Sequence, residues 1–254
     1  DGTVKVWSRE QDEPVATMAA MGAAGANWMT HAVLGDDGKT LTTVADRQRI
    51  NVWNIETGTL LQSAALDMGA QVIGHHRRPD GPLIAIAHFG RTPVVHLWQA
   101  SDNEVIAGLT GHRGNVEHAL FDSAGRVVLT AGSDSAARLW DVETGREIAR
   151  FDGHEFGVRL VALSADGRLV ATDGPGTSVQ VWDARTGQRL LAVHGHTNGV
   201  NAAAFSPDGT RLITAGQDNS ARLWDTRTGE PVAVFRGHSD VVTDVQFSPD
   251  GALV

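Results

Sequence analysis

Apolar residues along this chain fall in short runs, each closed by a turn. The pattern is most regular between Gly195 and Gly229. Val200, Ala203 and Phe205 mark a first strand. Ser206-Pro207-Asp208-Gly209 ends it, with proline presetting φ and glycine free to take φ > 0. Residues 211–215 read as a second strand, Gln217-Asp218-Asn219 as a turn, and 220–224 as a third strand ending on Trp224. A hairpin turn from Asp225 to Gly229 leads to a fourth strand at 231–235. Four short antiparallel strands make a unit that cannot bury both of its faces alone.

Tryptophan marks where the unit recurs. Trp7, Trp53, Trp98, Trp140, Trp182 and Trp224 are separated by 46, 45, 42, 42 and 42 residues. A period this even predicts an array of one supersecondary unit, with function on a composite surface and not in a single catalytic cleft. Other residues keep step with the tryptophans. In the best units His stands 28 residues before Trp, Thr 10 before and Asp 6 before. His112, Thr130, Asp134 and Trp140 form one such set, and His196, Thr214, Asp218 and Trp224 another. His154, Thr172 and Trp182 repeat the spacing, with Gly176 in the aspartate slot and Asp173 as a substitute from a shifted turn.

Three motifs travel with this period. Gly-His recurs at 111–112, 153–154, 195–196 and 237–238, and Trp-Asp at 140–141, 182–183 and 224–225. Phe-Ser-Pro-Asp-Gly is intact at 205–209 and 247–251, with looser versions at 163–167 and 34–38. On these residues the whole chain resembles the WD-repeat family. The resemblance implies an all-β fold: a β-propeller of about six four-stranded antiparallel blades around a central channel. The blades fall at about 22–66, 67–108, 109–151, 152–193 and 194–235, with one more completed by both termini, 236–254 with 1–20. The resemblance also implies that each His, Thr, Asp and Trp set is a hydrogen-bonded tetrad crossing its blade. Buried polar atoms need partners, and a linked chain supplies all of them. His238, Asp1 and Trp7 are the tetrad members expected of the shared blade; the His-to-Trp interval is met there if five residues separate the ends. Recurrence once per blade argues against a catalytic Thr-His-Asp triad. It argues equally against a zinc site, because ligands one blade apart do not converge on one ion.

The chain begins and ends within a repeat, which is the expectation for a piece of a longer protein; the parent's blade number is open, seven being common in the family. The first two complete blades depart most from the pattern. Gly25 and Ala70 fill their histidine slots, Asn54 and Gln99 follow their tryptophans, Arg77 stands where other blades have Phe, and His88 replaces the strand threonine. Such blades are expected to rest on apolar packing alone. His75-His76-Arg77-Arg78, near a strand-to-turn junction, reads as a solvated turn, with an anion- or acid-binding role as the alternative.

Display positions are the residues that vary while the frame repeats. Trp28, the one tryptophan off the period, aligns with Gly199 near the rim of a channel face, where it reads as a local plug over a blade without Gly-His or, alternatively, as an anchor for a partner. Thr30, Ile73, Glu117, Arg159, Asn201 and Thr243 share one slot, which interrupts the strand alternation and suggests a bulge aimed at the channel mouth. His31, Gly74, His118, Leu160, Ala202 and Asp244 form the next ring, and Ser133, Pro175 and Gln217 stand just before the turn aspartate. The family resemblance implies that this face binds peptides or other domains. The candidates there are Trp28, Thr30, Glu117, Arg159, Asn201, Thr243, Ser133 and Gln217.

Composition narrows the function classes. Net charge is −9 with no basic run beyond Arg77-Arg78, which counts against nucleic acid as a partner. No apolar stretch is long enough to span a membrane as a helix. There is no cysteine, so disulfides and thiolate metal sites are excluded and a reducing compartment is permitted. Nineteen arginines against two lysines, Lys5 and Lys39, suggest a GC-rich and bacterial source; the expected location is the cytoplasm. The expectation is a non-enzymatic scaffold without cofactor or metal. Its partner is a protein, a peptide or another domain of the same polypeptide. One alternative is a sensory or autoinhibitory module of a bacterial signalling kinase or regulatory NTPase. The other is a metal-dependent enzymatic propeller that gathers His31, Glu117, His118 and Asp244.

Overall fold

The computed structural model describes residues 3–7, 13–19, 29–34, 38–45, 49–65, 70–76, 82–88, 90, 93–100, 102 and 104–254. The chain divides into two compact units, Asp1–Gly111 and His112–Val254. Every described element is a strand.

In the first unit, β1 (Thr3–Trp7) and β2 (Pro14–Ala19) pair as a two-stranded sheet. β3 (Met29–Leu34), β4 (Thr40–Ala45), β5 (Arg49–Asn54) and β6 (Leu60–Ala65) make one antiparallel meander. β7 (Ala70–His76), β8 (Leu83–His88), β9 (Val94–Gln99) and β10 (Glu104–Thr110) make a second. The second unit holds three such sheets. The first is β11 (Val116–Phe121), β12 (Val127–Gly132), β13 (Ala137–Asp141) and β14 (Glu147–Phe151). Next come β15 (Val161–Leu163), β16 (Leu169–Asp173), β17 (Val179–Asp183) and β18 (Arg189–Val193). The last is β19 (Val200–Phe205), β20 (Arg211–Gly216), β21 (Ser220–Asp225) and β22 (Pro231–Arg236). Strands of one sheet follow one another in sequence, which is the blade architecture of a β-propeller.

Two kinds of turn hold the meanders in register. In Ser206-Pro207-Asp208-Gly209 the Asp208 carboxylate accepts from the Ser206 hydroxyl at 2.6 Å and from the Thr210 amide at 3.0 Å, and Gly209 takes φ 70°. These donors hold the Asp208 carboxyl down at about 2. Ser164 with Asp166 and Ser248 with Asp250 repeat the contact. The aspartate after each tryptophan has a separate task. Asp141, Asp183 and Asp225 accept the amide three residues on, from Thr144, Thr186 and Thr228, and so close the next hairpin. Asn54 does the same for Thr57 at 2.9 Å, so the change from Asp to Asn leaves the turn intact.

Within each unit, the tryptophan of a later sheet is buried against the sheet before it. Trp53 packs with Val4, Ala16 and Met18 of the two-stranded sheet, and Trp98 with Val44, Ile50 and Val52. Trp182 joins Leu129, Leu139 and Phe151, and Trp224 joins Ala171, Val179 and Val181. Trp7 belongs to the first sheet of its unit and is 56% exposed. Residues 237–254 continue the sequence repeat but carry no ladder, whereas the repeat assigns them to the blade completed by both termini. They close one turn, through the Ser248 amide and the Leu253 carbonyl, and leave Val241, Leu253 and Val254 exposed. A lone hairpin is marginal in water without a sheet to extend.

Candidate interaction surface

The second unit builds its frame from three hydrogen-bonded chains. In the sheet β11–β14, Trp140 Nε1 donates to Thr130 Oγ1 at 2.7 Å, Thr130 meets His112 Nε2 at 2.8 Å, and His112 Nδ1 lies 2.9 Å from Asp134 Oδ1. In β19–β22 the same atoms of Trp224, Thr214, His196 and Asp218 are linked at 2.9, 2.8 and 2.9 Å. Donors and acceptors run one way. The indole N–H fills one lone pair of the threonine oxygen, the threonine O–H points to His Nε2, and His Nδ1–H points to the carboxylate. That order requires a neutral imidazole. Burial pushes the His112 ring below its ordinary value, against the pull of Asp134. Burial also works against the charged form of Asp134, yet its carboxyl is held low by the Arg113 amide and by His112, with Arg138 nearby.

The middle sheet, β15–β18, solves the missing aspartate differently. Trp182 donates to Thr172 at 2.8 Å and Thr172 meets His154 Nε2 at 2.9 Å. His154 Nδ1 lies 3.2 Å from the Ser135 carbonyl in the preceding β12–β13 loop. Asp173, expected to substitute, instead accepts the Leu160 amide at 3.4 Å and acts on the imidazole only as a nearby charge. A carbonyl can only accept, so Nδ1 carries the proton here too.

Three expectations need correction. Trp7 and His238 are exposed, so neither stands in a buried tetrad; Asp1 lies outside the described residues. The two divergent blades do not rest on apolar packing alone. Trp53 Nε1 donates to Thr43 at 2.9 Å, half of a tetrad, and His96 Nδ1 lies 3.1 Å from His88 Nε2. Ile73, grouped with displayed positions, is buried at 9% exposure, because the bulge in β7 turns an apolar side chain into the core.

Register shifts fall at Thr30, Ile73, Glu117 and Asn201, each the extra residue of its inner strand. Arg159 precedes β15 and Thr243 lies in the ladder-free segment; both are exposed. Trp28 lies outside the described residues. Asn201 is half-buried and committed to the frame: its Nδ2 donates to the Val242 carbonyl at 2.9 Å, and its Oδ1 accepts from Gln217 Nε2 at 3.1 Å.

Glu117, Ser133, Arg159 and Gln217 are brought to one end of the second unit by the loops and bulges there. Two adjoining hollows share Phe156 and Arg159 as walls. One, of about 330 Å³, is lined by Glu117, Ser133 and Val158. The other, of about 290 Å³, is lined by Glu155, Asp173, Pro175 and Gln217. Phe156, on the β14–β15 loop, is 76% exposed, the highest exposure of any large apolar side chain described. It was missed in the sequence reading, although a signal exists: two residues after His the other units place Gly114, Asn198 and Asp240. Among the described residues no group of three or more His, Asp or Glu is disposed to hold a metal ion, and no helix is long and apolar enough to cross a membrane.

The sequence matches the family model WD40, the WD domain, G-beta repeat, at residues 103–141, 145–183, 187–225 and 229–254. No curated protein matches the chain.

Proposed function

The chain belongs to the WD40 family, whose repeats generally mediate protein–protein interaction, and on that footing we propose that it is a non-enzymatic scaffold. Its working surface is the pair of hollows around Phe156 and Arg159. There it captures a protein, a peptide or another domain of its own polypeptide. The observation that carries this reading is the exposure of Phe156 between two concave sites. A large rigid aromatic that the fold does not bury, set among hollows, has the properties of an interface anchor. The surrounding histidines and threonines are spent on the frame. His112 and His196 face carboxylates of their own blades, and the Thr130 and Thr214 hydroxyls they engage are fully buried, so neither arrangement offers a nucleophile to a cleft.

Site-specific photo-crosslinking tests the reading. A photo-reactive phenylalanine at position 156 should trap one discrete partner in the source cell. The same group at Arg168, on an exposed turn, should trap none. Equal labelling from both positions would refute the assignment of this face.

A further inference from the structure

The charges around Phe156 identify the kind of partner. Glu155 lines one hollow and Glu117 the other, both exposed and neither in an ion pair among the described residues. Asp173 adds a half-buried carboxylate to the first hollow, and His154 behind it is kept toward its neutral form by burial. Arg159 is the one cationic side chain lining either hollow, and it too has no ion-pair partner in the unit. An exposed aromatic face between two free carboxylates attracts a cation, and the chain's net charge of −9 works in the same direction.

We propose that the Phe156 surface binds an arginine-bearing segment of a protein, with a guanidinium laid on the Phe156 ring and reaching the Glu117 or Glu155 carboxylate. This rests on the reading of that face as the interaction surface. Arginine fits better than lysine, because its planar fork stacks on an aromatic ring and still offers N–H groups edgewise to a carboxylate. Arg159 stands between the hollows and opposes a second positive charge, which favours a single basic side chain over a basic run. Phosphate backbones and anionic lipid surfaces are disfavoured by the same carboxylates.

Four fluorescein-labelled dodecapeptides test the inference on the full chain by fluorescence anisotropy. Each has a Gly-Ser framework with one central Arg, Lys, Glu or Leu. The Arg peptide should bind most tightly, and Phe156→Ala should weaken it about tenfold, the scale of a well-formed cation–π contact. Glu117→Gln and Glu155→Gln together should weaken it further, whereas Arg159→Gln should tighten it severalfold. A merely structural role for Arg159 would not produce that last gain. Phe156-dependent binding led by the Glu or Leu peptide would overturn the arginine assignment and leave the interaction face standing. Lys binding as well as Arg would overturn the stacking geometry. No Phe156-dependent binding of any peptide would overturn both this inference and the face it rests on.

Discussion

Replacing Thr214 by valine removes the hub of a tetrad without changing the side chain's outline. Thr214 is fully buried and its hydroxyl serves two buried partners, Trp224 Nε1 at 2.9 Å and His196 Nε2 at 2.8 Å. Its 3.4 Å approach to the Arg222 carbonyl adds little. Valine leaves an indole N–H and an imidazole nitrogen without partners, in a place water does not reach. Each orphaned buried group costs about 1–3 kcal/mol, so Thr214→Val should cost about 2–6 kcal/mol. The internal control is Thr43→Val. Thr43 is also fully buried, but among the described residues its hydroxyl serves Trp53 alone, at 2.9 Å. One orphan should cost about 1–3 kcal/mol, half as much. Calorimetry or thermal melting followed by circular dichroism reads the difference, at about 2–4 °C per kcal/mol for a chain of this size. Equal losses for the two variants, or a loss below about 0.5 kcal/mol for Thr214→Val, would show that the linked tetrad does not stabilise the blade.

Acidification should destabilise the fold in two stages. His112 and His154 titrate below their unfolded value, so the native state binds fewer protons; their contribution is whole above about pH 6.5 and declines as pH falls through the folded value. Asp134 is also lowered, so its contribution persists to about pH 4 and is lost below that. A melting temperature that rises between pH 7 and pH 5.5 would contradict the neutral-imidazole chain. Gly216→Ala should destabilise by at least about 1–3 kcal/mol, because the added Cβ runs into the His196 ring and lies 2.8 Å from Asp218 Oδ1. A urea midpoint unchanged from the parent protein would mean that the ring is not seated where the tetrad requires.

The frame was legible because its parts keep fixed distances along the chain. Strand lengths and turn types set the interval from His112 to Trp140, and the same interval recurs at His154 and His196, so spacing alone groups the partners. Spacing fails where a backbone atom does the work. The Ser135 carbonyl that faces His154 has no signature in residue identity, and so Asp173 looked like the substitute. Chemical equivalence also hides from a motif: Asn54 breaks the Trp-Asp pattern and still closes its turn as Asp141 does. Trp7 fits the period but is exposed, because period reports position in a blade and not burial. On the display face, Glu117, Ser133, Arg159 and Gln217 could be named from the repeat, since variation at one slot against a constant frame marks them. Phe156 could not be found by following tryptophans. Its signal lies instead in its slot, where the other units carry Gly114, Asn198 and Asp240.

This chain divides into a frame that repeats and a face that does not. Partner capture by Phe156→Ala protein tests that division most directly, with the unfolding midpoint measured on the same sample. Capture should be lost while stability stays within about 0.5 kcal/mol of the parent, as for an exposed side chain. Undiminished capture would contradict it, and so would a loss of capture that merely follows a loss of fold.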